Sequence, residues 1–125
     1  MRSILAVICC LLVACTTVRD QTRALNGAVA DTVTTVVALR KAGVIESNPI
    51  GFPATILLKG VMITYLHYYP NESLDRAAGS IWWAAAANNL AVILGLTNPV
   101  SIALSVGVGV ALWINSEPAV EELSE

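Results

Sequence analysis

Residues 50–69 read IGFPATILLKGVMITYLHYY, a run of twenty residues in which Lys59 is the only Lys, Arg, Asp or Glu. An α-helix rises about 1.5 Å per residue, so about twenty residues cover the roughly 30 Å hydrocarbon core of a bilayer. The stretch therefore predicts a membrane-spanning helix. Lys59 lies near its middle, where a charged side chain is costly unless it meets a partner inside the protein.

Three further apolar segments lie on either side of this one, over residues 24–42, 77–96 and 99–114. Segments 50–69 and 77–96 have full spanning length, whereas 99–114 is short and 24–42 contains an acid. Short connections favour antiparallel packing of sequential helices, so we expect each helix to pack against the next one along the chain. Asn98 is the expected N-cap of the last helix, with Pro99 at its first position.

The overall composition agrees with a protein whose solvent is mostly lipid. Of the 125 residues, 56% are hydrophobic and 13% are charged, against roughly 25% charged in ordinary globular domains. A small soluble domain must cover a large surface with polar groups, and this chain has too few of them. We therefore predict an all-α fold, an integral membrane bundle of about four short-looped transmembrane helices.

The N-terminus has the pattern of a secretory signal. Residues 3–14 carry no charge, and about twelve residues are too few for a relaxed span but suit the apolar region of a signal peptide. The run ends in Leu12-Val13-Ala14-Cys15, which resembles the bacterial lipobox. We therefore predict a signal peptide over 1–14 and lipidation of Cys15; the alternative is an uncleaved first helix.

Charged residues between and after the spans predict the orientation. Arg40 and Lys41 lie between the first two spans, and the positive-inside rule places them in the cytoplasm. Four spans then place the acidic tail, residues 117–125, on the periplasmic side, where we expect it to be a solvated end. The predicted location is a bacterial inner membrane, with the lipid bilayer as the first partner.

Asp31 lies on a small and polar face of the first helix. At 100° per residue, Thr34, Thr35 and several small side chains fall close to Asp31, whereas the valines fall on the far side. We expect the small face to contact protein and the valine face to contact lipid. The small face comprises Ala24, Gly27, Thr34, Thr35, Ala38 and Ala42.

Apart from Arg40 and Lys41 at the end of the first segment, Lys59 and Asp31 are the only base and the only acid within the predicted spans, and Glu46 lies in the loop between them. We predict that Lys59 pairs with Asp31, with Glu46 or with both, and that Thr34 or Thr35 satisfies the remaining lone pairs. Intramembrane ionisable groups are candidates for a proton or ion relay. The alternative is an ion pair that only fixes the register of the helices.

The two C-terminal helices carry features that favour close helix packing. Asn88 and Asn89 lie among alanines in the third helix, and asparagine amides in lipid form interhelical hydrogen bonds. Ridges of small residues at a spacing of four allow backbones to approach, within the chain or between copies. These ridges comprise Ala87, Ala91 and Gly95 on the third helix, and Ser101, Ser105 and Gly109 on the fourth, beside Ala103, Gly107 and Ala111.

The order of polar residues resembles that of small uncharacterised bacterial inner-membrane proteins. Asp31-x-x-Thr34-Thr35 is followed by Glu46-x-Asn48-Pro49 and then by Lys59 in the next span. The resemblance covers residues 31 to about 66, and its most specific part is the Glu-x-Asn-Pro turn followed by the lysine. It implies a multi-pass membrane protein without an assigned activity, and it adds Asn48 to the candidate polar residues.

The sequence contains no motif of an enzyme. It has no Gly-rich phosphate loop, no set of Cys and His ligands and no Ser/His/Asp arrangement, so we expect no catalysis, no cofactor and no metal. Its basic residues are scattered, which argues against a nucleic-acid partner. We expect a structural or accessory membrane component that forms homo-oligomers or binds a membrane protein. The alternatives are a small transporter or channel subunit using Asp31 and Lys59, and a phage-lysis type membrane protein.

Overall fold

The computed structural model describes residues 22–41 and 50–116, and within these ranges it contains α-helices and no strand. The predicted all-α class is therefore confirmed. The signal peptide, Cys15, Glu46, Asn48 and the acidic tail lie outside the described residues. The helices are α1 (Ala24–Leu39), α2 (Phe52–Tyr68), α3 (Glu72–Ile93) and α4 (Asn98–Asn115).

Two helices begin earlier than predicted. Helix α3 begins at Glu72 rather than at residue 77, because Asn71 acts as N-cap and its Oδ1 accepts a hydrogen bond from the Leu74 backbone N–H at 2.9 Å. The acidic residues of its first turn, which interrupt the apolar pattern, favour a helix N-terminus. Helix α4 has Thr97 rather than Asn98 as N-cap, so the prediction for Asn98 is wrong by one residue.

Helix α3 is the centre of the arrangement, with α1 packed against one side and α4 against another. The N-termini of α1 and α3 meet where Asp75 contacts the Ala24 backbone, and their C-terminal ends meet where Lys41 contacts the Ile93 carbonyl, so the two helices are parallel. Helices α3 and α4 are antiparallel neighbours, as predicted. For α1 the prediction is wrong, because its main partner is α3, and α2 makes few contacts with α1.

Small residues explain why α1 packs against α3. A Cβ atom on Gly27 would lie 2.6 Å from the Gly79 carbonyl oxygen, and one on Gly79 would overlap the Thr22 backbone carbonyl. The two backbones therefore approach more closely than any side chain allows. At the corresponding glycine of α2 there is no such close approach, since a Cβ on Gly60 would meet no atom of another helix within 4 Å.

Helix α4 packs on α3 through one of its predicted ridges. Ser101 is buried, Ser105 Oγ donates to the Ala84 carbonyl at 2.7 Å, and a Cβ on Gly109 would lie 3.0 Å from the Ala84 Cβ. The second ridge of α4, which contains Gly107, is exposed, and a Cβ on Gly107 would meet nothing within 4 Å.

Burial in this structure is inverted relative to a soluble domain. Every buried hydrophobic residue in the described ranges is an alanine, whereas large aliphatic side chains are exposed, with Leu57 at 69% and Ile81 at 65%. Three charged residues are buried instead: Asp31, Lys59 and Arg76. The buried alanines are Ala24, Ala28, Ala30, Ala38, Ala78, Ala86 and Ala91.

Within residues 22–41 and 50–116, α4 is the one helix long and apolar enough to cross a membrane. Helix α1 is apolar but has 16 residues, and α2 has 17. Segment 99–114, which was predicted to be the short span, thus lies in the longest apolar helix, α4. Helix α2 is shorter because it ends at Tyr68, and the 22 residues of α3 include a charged first turn.

Candidate functional site

The predicted ion pair between Asp31 and Lys59 is present and joins α1 to α2. Lys59 Nζ lies 2.7 Å from Asp31 Oδ2, and the two side chains are 5% and 10% exposed. Lys59 also donates to Thr32 Oγ1 at 3.2 Å. Lys59 is the only buried residue of α2, so its side chain is the main attachment of that helix.

The second oxygen of the Asp31 carboxylate faces α3. Asn89 Nδ2 donates to Asp31 Oδ1 at 2.9 Å, and Thr35 Oγ1 lies 3.3 Å from the same oxygen. One carboxylate on α1 therefore contacts α2 through one oxygen and α3 through the other. This polar cluster, comprising Asp31, Thr32, Thr34, Thr35, Lys59 and Asn89, is where side chains of these three helices meet.

Asn89 orders the hydroxyl groups of the cluster. Its Nδ2 lies 2.8 Å from Thr35 Oγ1, 2.9 Å from Asp31 Oδ1 and 3.3 Å from Thr34 Oγ1. An amide group has two N–H donors, so the two shorter contacts take both hydrogens. Thr35 accepts one of them, which leaves its own hydrogen to point at Asp31.

Thr34 is held by its own helix. Its hydroxyl donates to the Ala30 carbonyl at 2.8 Å and lies 3.1 Å from the Asp31 carbonyl. Of the two threonines proposed to satisfy the carboxylate, Thr35 does so, and Thr34 lies at the edge of the cluster, where its oxygen makes the longest of the three Asn89 contacts.

Thr32 is not among the residues predicted from the sequence, because it lies 100° around the helix from Asp31 and therefore outside the face predicted to contact protein. The offset is explained by two neighbours: Asp31 lies between α2 and α3, and Thr32 lies on the α2 side. Asn88 precedes Asn89 on the helix and takes no part in the cluster. Glu46 and Asn48 lie outside the described residues, so their relation to Lys59 is still a prediction.

The chemistry of the polar cluster is that of a balanced and hydrogen-bonded charge pair. Buried charges are stable when they are paired and their remaining lone pairs and protons are satisfied, which is the arrangement around Asp31. No group of three His, Cys, Asp or Glu residues that could hold a metal ion occurs in residues 22–41 and 50–116.

A second pair of charged residues binds helix ends. Asp75 Oδ1 accepts a hydrogen bond from the Ala24 backbone N–H at 2.7 Å, so it caps the N-terminus of α1. Arg76 donates from Nη2 to the Trp113 carbonyl at 2.9 Å and from Nε to Ser116 Oγ at 3.0 Å, at the C-terminus of α4. Each charge has the sign that the helix dipole favours at that end.

Arg76 also stacks on an aromatic ring. Its guanidinium carbon lies 4.5 Å from the centroid of the Trp113 ring, within the range of a cation–π contact. Asp75 and Arg76 are not among the site residues predicted from the sequence. The signal was their adjacency: neighbours on a helix point about 100° apart, so each can reach a different flanking helix.

Comparison of the chain with known protein families, curated proteins and solved structures finds no match.

Proposed function

We propose that this chain is a small multi-pass membrane protein with a structural or accessory role and no catalytic activity. The observation that carries the proposal is the inverted burial, with alanines and charged groups inside and large aliphatic side chains outside. In water, the exposed aliphatic surface would promote aggregation. In lipid the same surface is solvated, and the buried charges contact partners within the protein rather than hydrocarbon.

The direction of the helices supports a topology with four crossings. Helices that cross a bilayer in succession alternate in direction, so the first and third should be parallel and the fourth antiparallel to both. The contacts of Lys41 and Arg76 with helix ends agree with this order. The positive-inside rule assigns the end with Arg40 and Lys41 to the cytoplasm, and therefore the C-terminus to the periplasm.

Labelling of single cysteines in intact bacteria tests this topology. We expect a membrane-impermeant maleimide to label Asn71→Cys and to leave Arg40→Cys unlabelled until the cells are permeabilised. The parent chain provides the background for its own three cysteines. Equal labelling at both positions, or recovery of the protein in the aqueous fraction without detergent, would contradict the proposal. Mass spectrometry of the mature N-terminus tests the separate prediction of lipidated Cys15.

A structural role for the polar cluster is supported by its saturation. A relay group must exchange its partners during transport, whereas Asp31 has close contacts on both oxygens and Lys59 contacts both an acid and a hydroxyl. The competing function is a small transporter or channel subunit that uses these two residues. The observation that favours this competing function is that Asp31 and Lys59 form an ion pair among apolar helices, where ionisable groups are candidates for transport.

Reconstitution separates the two functions. We expect vesicles containing the purified protein to show the same proton leak as empty vesicles, measured with an enclosed pH-sensitive dye under an imposed gradient. A leak that depends on the protein and disappears in a folded Asp31→Asn variant would establish the transport function instead. Thr64→Val, on an exposed position of α2, is the matched control for a conservative change outside the polar cluster.

A further inference from the structure

A cleft of about 310 Å³ lies where the N-termini of α1 and α3 meet the C-terminal end of α2. Its size is at the lower end of the range for small-molecule sites. The lining residues are Arg23, Leu66, Pro70, Asn71, Glu72, Asp75 and Arg76.

Among residues 22–41 and 50–116, the lining of the cleft contains two acids and two bases, so these described side chains are balanced in formal charge. Asp75 and Arg76 line the cleft and are held in place by their hydrogen bonds to the ends of α1 and α4. Arg23 and Glu72 also line the cleft and are exposed. Both have partners within the chain, but a guanidinium has five N–H donors and a carboxylate about four acceptor positions, so each can bind a further group.

The cleft also has the depth expected of a lipid headgroup. Tyr65 and Tyr69 form an aromatic pair at the same end of α2, with ring centroids 5.2 Å apart. Aromatic residues of this kind mark the level of the headgroups in membrane proteins. Leu66 and Pro70 supply an apolar wall beside the charged groups, where the glycerol and the first acyl carbons of a lipid would lie.

We infer that this cleft binds a zwitterionic group that combines a primary ammonium with a phosphate, as in the headgroup of phosphatidylethanolamine. The phosphate accepts hydrogen bonds from the Arg23 guanidinium, and the ammonium donates to the Glu72 carboxylate. An anionic headgroup alone would meet the two acids, and a quaternary ammonium has no N–H to donate. The site is therefore selective for ethanolamine over choline and glycerol headgroups. The inference rests on the proposed membrane location.

Native mass spectrometry of the full chain, released from detergent with equal amounts of three lipids, tests this selectivity. We expect phosphatidylethanolamine to bind about tenfold more tightly than phosphatidylcholine or phosphatidylglycerol, because it alone makes both charge-assisted contacts. Glu72→Gln and Arg23→Gln should each abolish the preference. Arg40→Gln makes the same chemical change as Arg23→Gln at the opposite end of α1 and should retain it.

Competition with soluble phosphoethanolamine distinguishes a lipid from a free small molecule carrying the same group. If millimolar phosphoethanolamine displaces the lipid, the cleft recognises the phosphate and ammonium of the headgroup alone. If it does not displace the lipid, binding also needs contacts with the glycerol and acyl chains. Equal binding of the three lipids, or an unchanged preference in Glu72→Gln, would overturn the inference. A protein that stays monodisperse without detergent would instead contradict the proposed membrane location, so the two failures are distinguishable.

Discussion

Helices α2 and α3 are attached to α1 by opposite means. Helix α3 meets α1 along its length through glycine and alanine, at distances that leave no room for a Cβ on Gly79. Helix α2 meets it mainly through the side chain of Lys59. In lipid no hydrophobic force drives helices together, so association depends on close packing or on polar contacts. This chain uses close packing for one neighbour of α1 and a charge pair for the other.

The difference predicts different responses to mutation. An interface made by packing is sensitive to added volume, and its cost is spread over many contacts. An attachment made by one ion pair is sensitive to the loss of a charge and indifferent to volume elsewhere on the helix.

Removing the charge of Lys59 should have the largest effect. In Lys59→Met the Asp31 carboxylate stays buried without its cation, so we expect a loss of about 3–5 kcal/mol in the free energy of unfolding. The measurement is unfolding in mixed micelles, followed by tryptophan fluorescence. The contacts of α1 with α3 should persist in the folded fraction, because they do not involve Lys59.

The double variant Asp31→Asn, Lys59→Met supplies the control for this prediction. It removes both charges, so no buried charge is left unpaired, and it should be more stable than Lys59→Met alone. If the double variant is as unstable as the sum of the single variants, the two residues do not act as a pair.

Adding a methyl group at Gly79 should have the next largest effect. Its Cβ would overlap the Thr22 backbone carbonyl, which cannot move aside as a flexible side chain can, so we expect Gly79→Ala to lose about 3 kcal/mol. The same unfolding titration measures the loss.

Gly60→Ala is the matched substitution on α2. Its Cβ would meet nothing within 4 Å, and alanine is favoured over glycine in a helix interior by about 1 kcal/mol. We therefore expect Gly60→Ala to be neutral or stabilising. A similar loss in both variants would mean that α2 is also held by close packing.

The sequence was sufficient to predict the ion pair for a simple reason. Asp31 and Lys59 are the only charged residues away from the ends of the predicted spans, so each has few alternative partners. The same reasoning could not identify α3 as the main partner of α1, since small residues at helical spacing occur on three helices and the pattern does not say which pair meets. Geometry in three dimensions decides that choice.

Residues at the helix ends were harder to predict for a different physical reason. Asp75 and Arg76 have the same sequence pattern as solvated charges near a membrane surface, and their role depends on helix termini that are distant in the chain. Thr32 was missed because only one packing face of α1 was considered. Asn89 was predicted to form interhelical hydrogen bonds, but its neighbour Asn88 had the same pattern.

The adjacent asparagines give a third test, with an effect of about 1 kcal/mol. Asn89→Ala removes the donors to Asp31 and Thr35, and interhelical hydrogen bonds in membranes average about 0.6 kcal/mol with a maximum of about 1.7. Asn88→Ala changes the same side chain outside the polar cluster and should have a smaller effect. Thermal unfolding in detergent measures both variants. Equal losses would show that Asn89 contributes little to the contact between α1 and α3.

The smallest expected effect concerns the ends of the same two helices. Lys41 Nζ donates to the Val92 and Ile93 carbonyls at 3.2 and 2.8 Å, where a cation is favoured by the dipole of α3. Because the contact is exposed, we expect Lys41→Met to lose only about 0.3–1 kcal/mol, and less at high salt. Arg40→Met removes the same charge from the preceding residue without affecting these two hydrogen bonds. If only Lys41→Met is destabilising, the parallel pairing of α1 and α3 includes a charge contact at its end. Both neighbours of α1 then use charged side chains, but only the attachment of α2 depends on one.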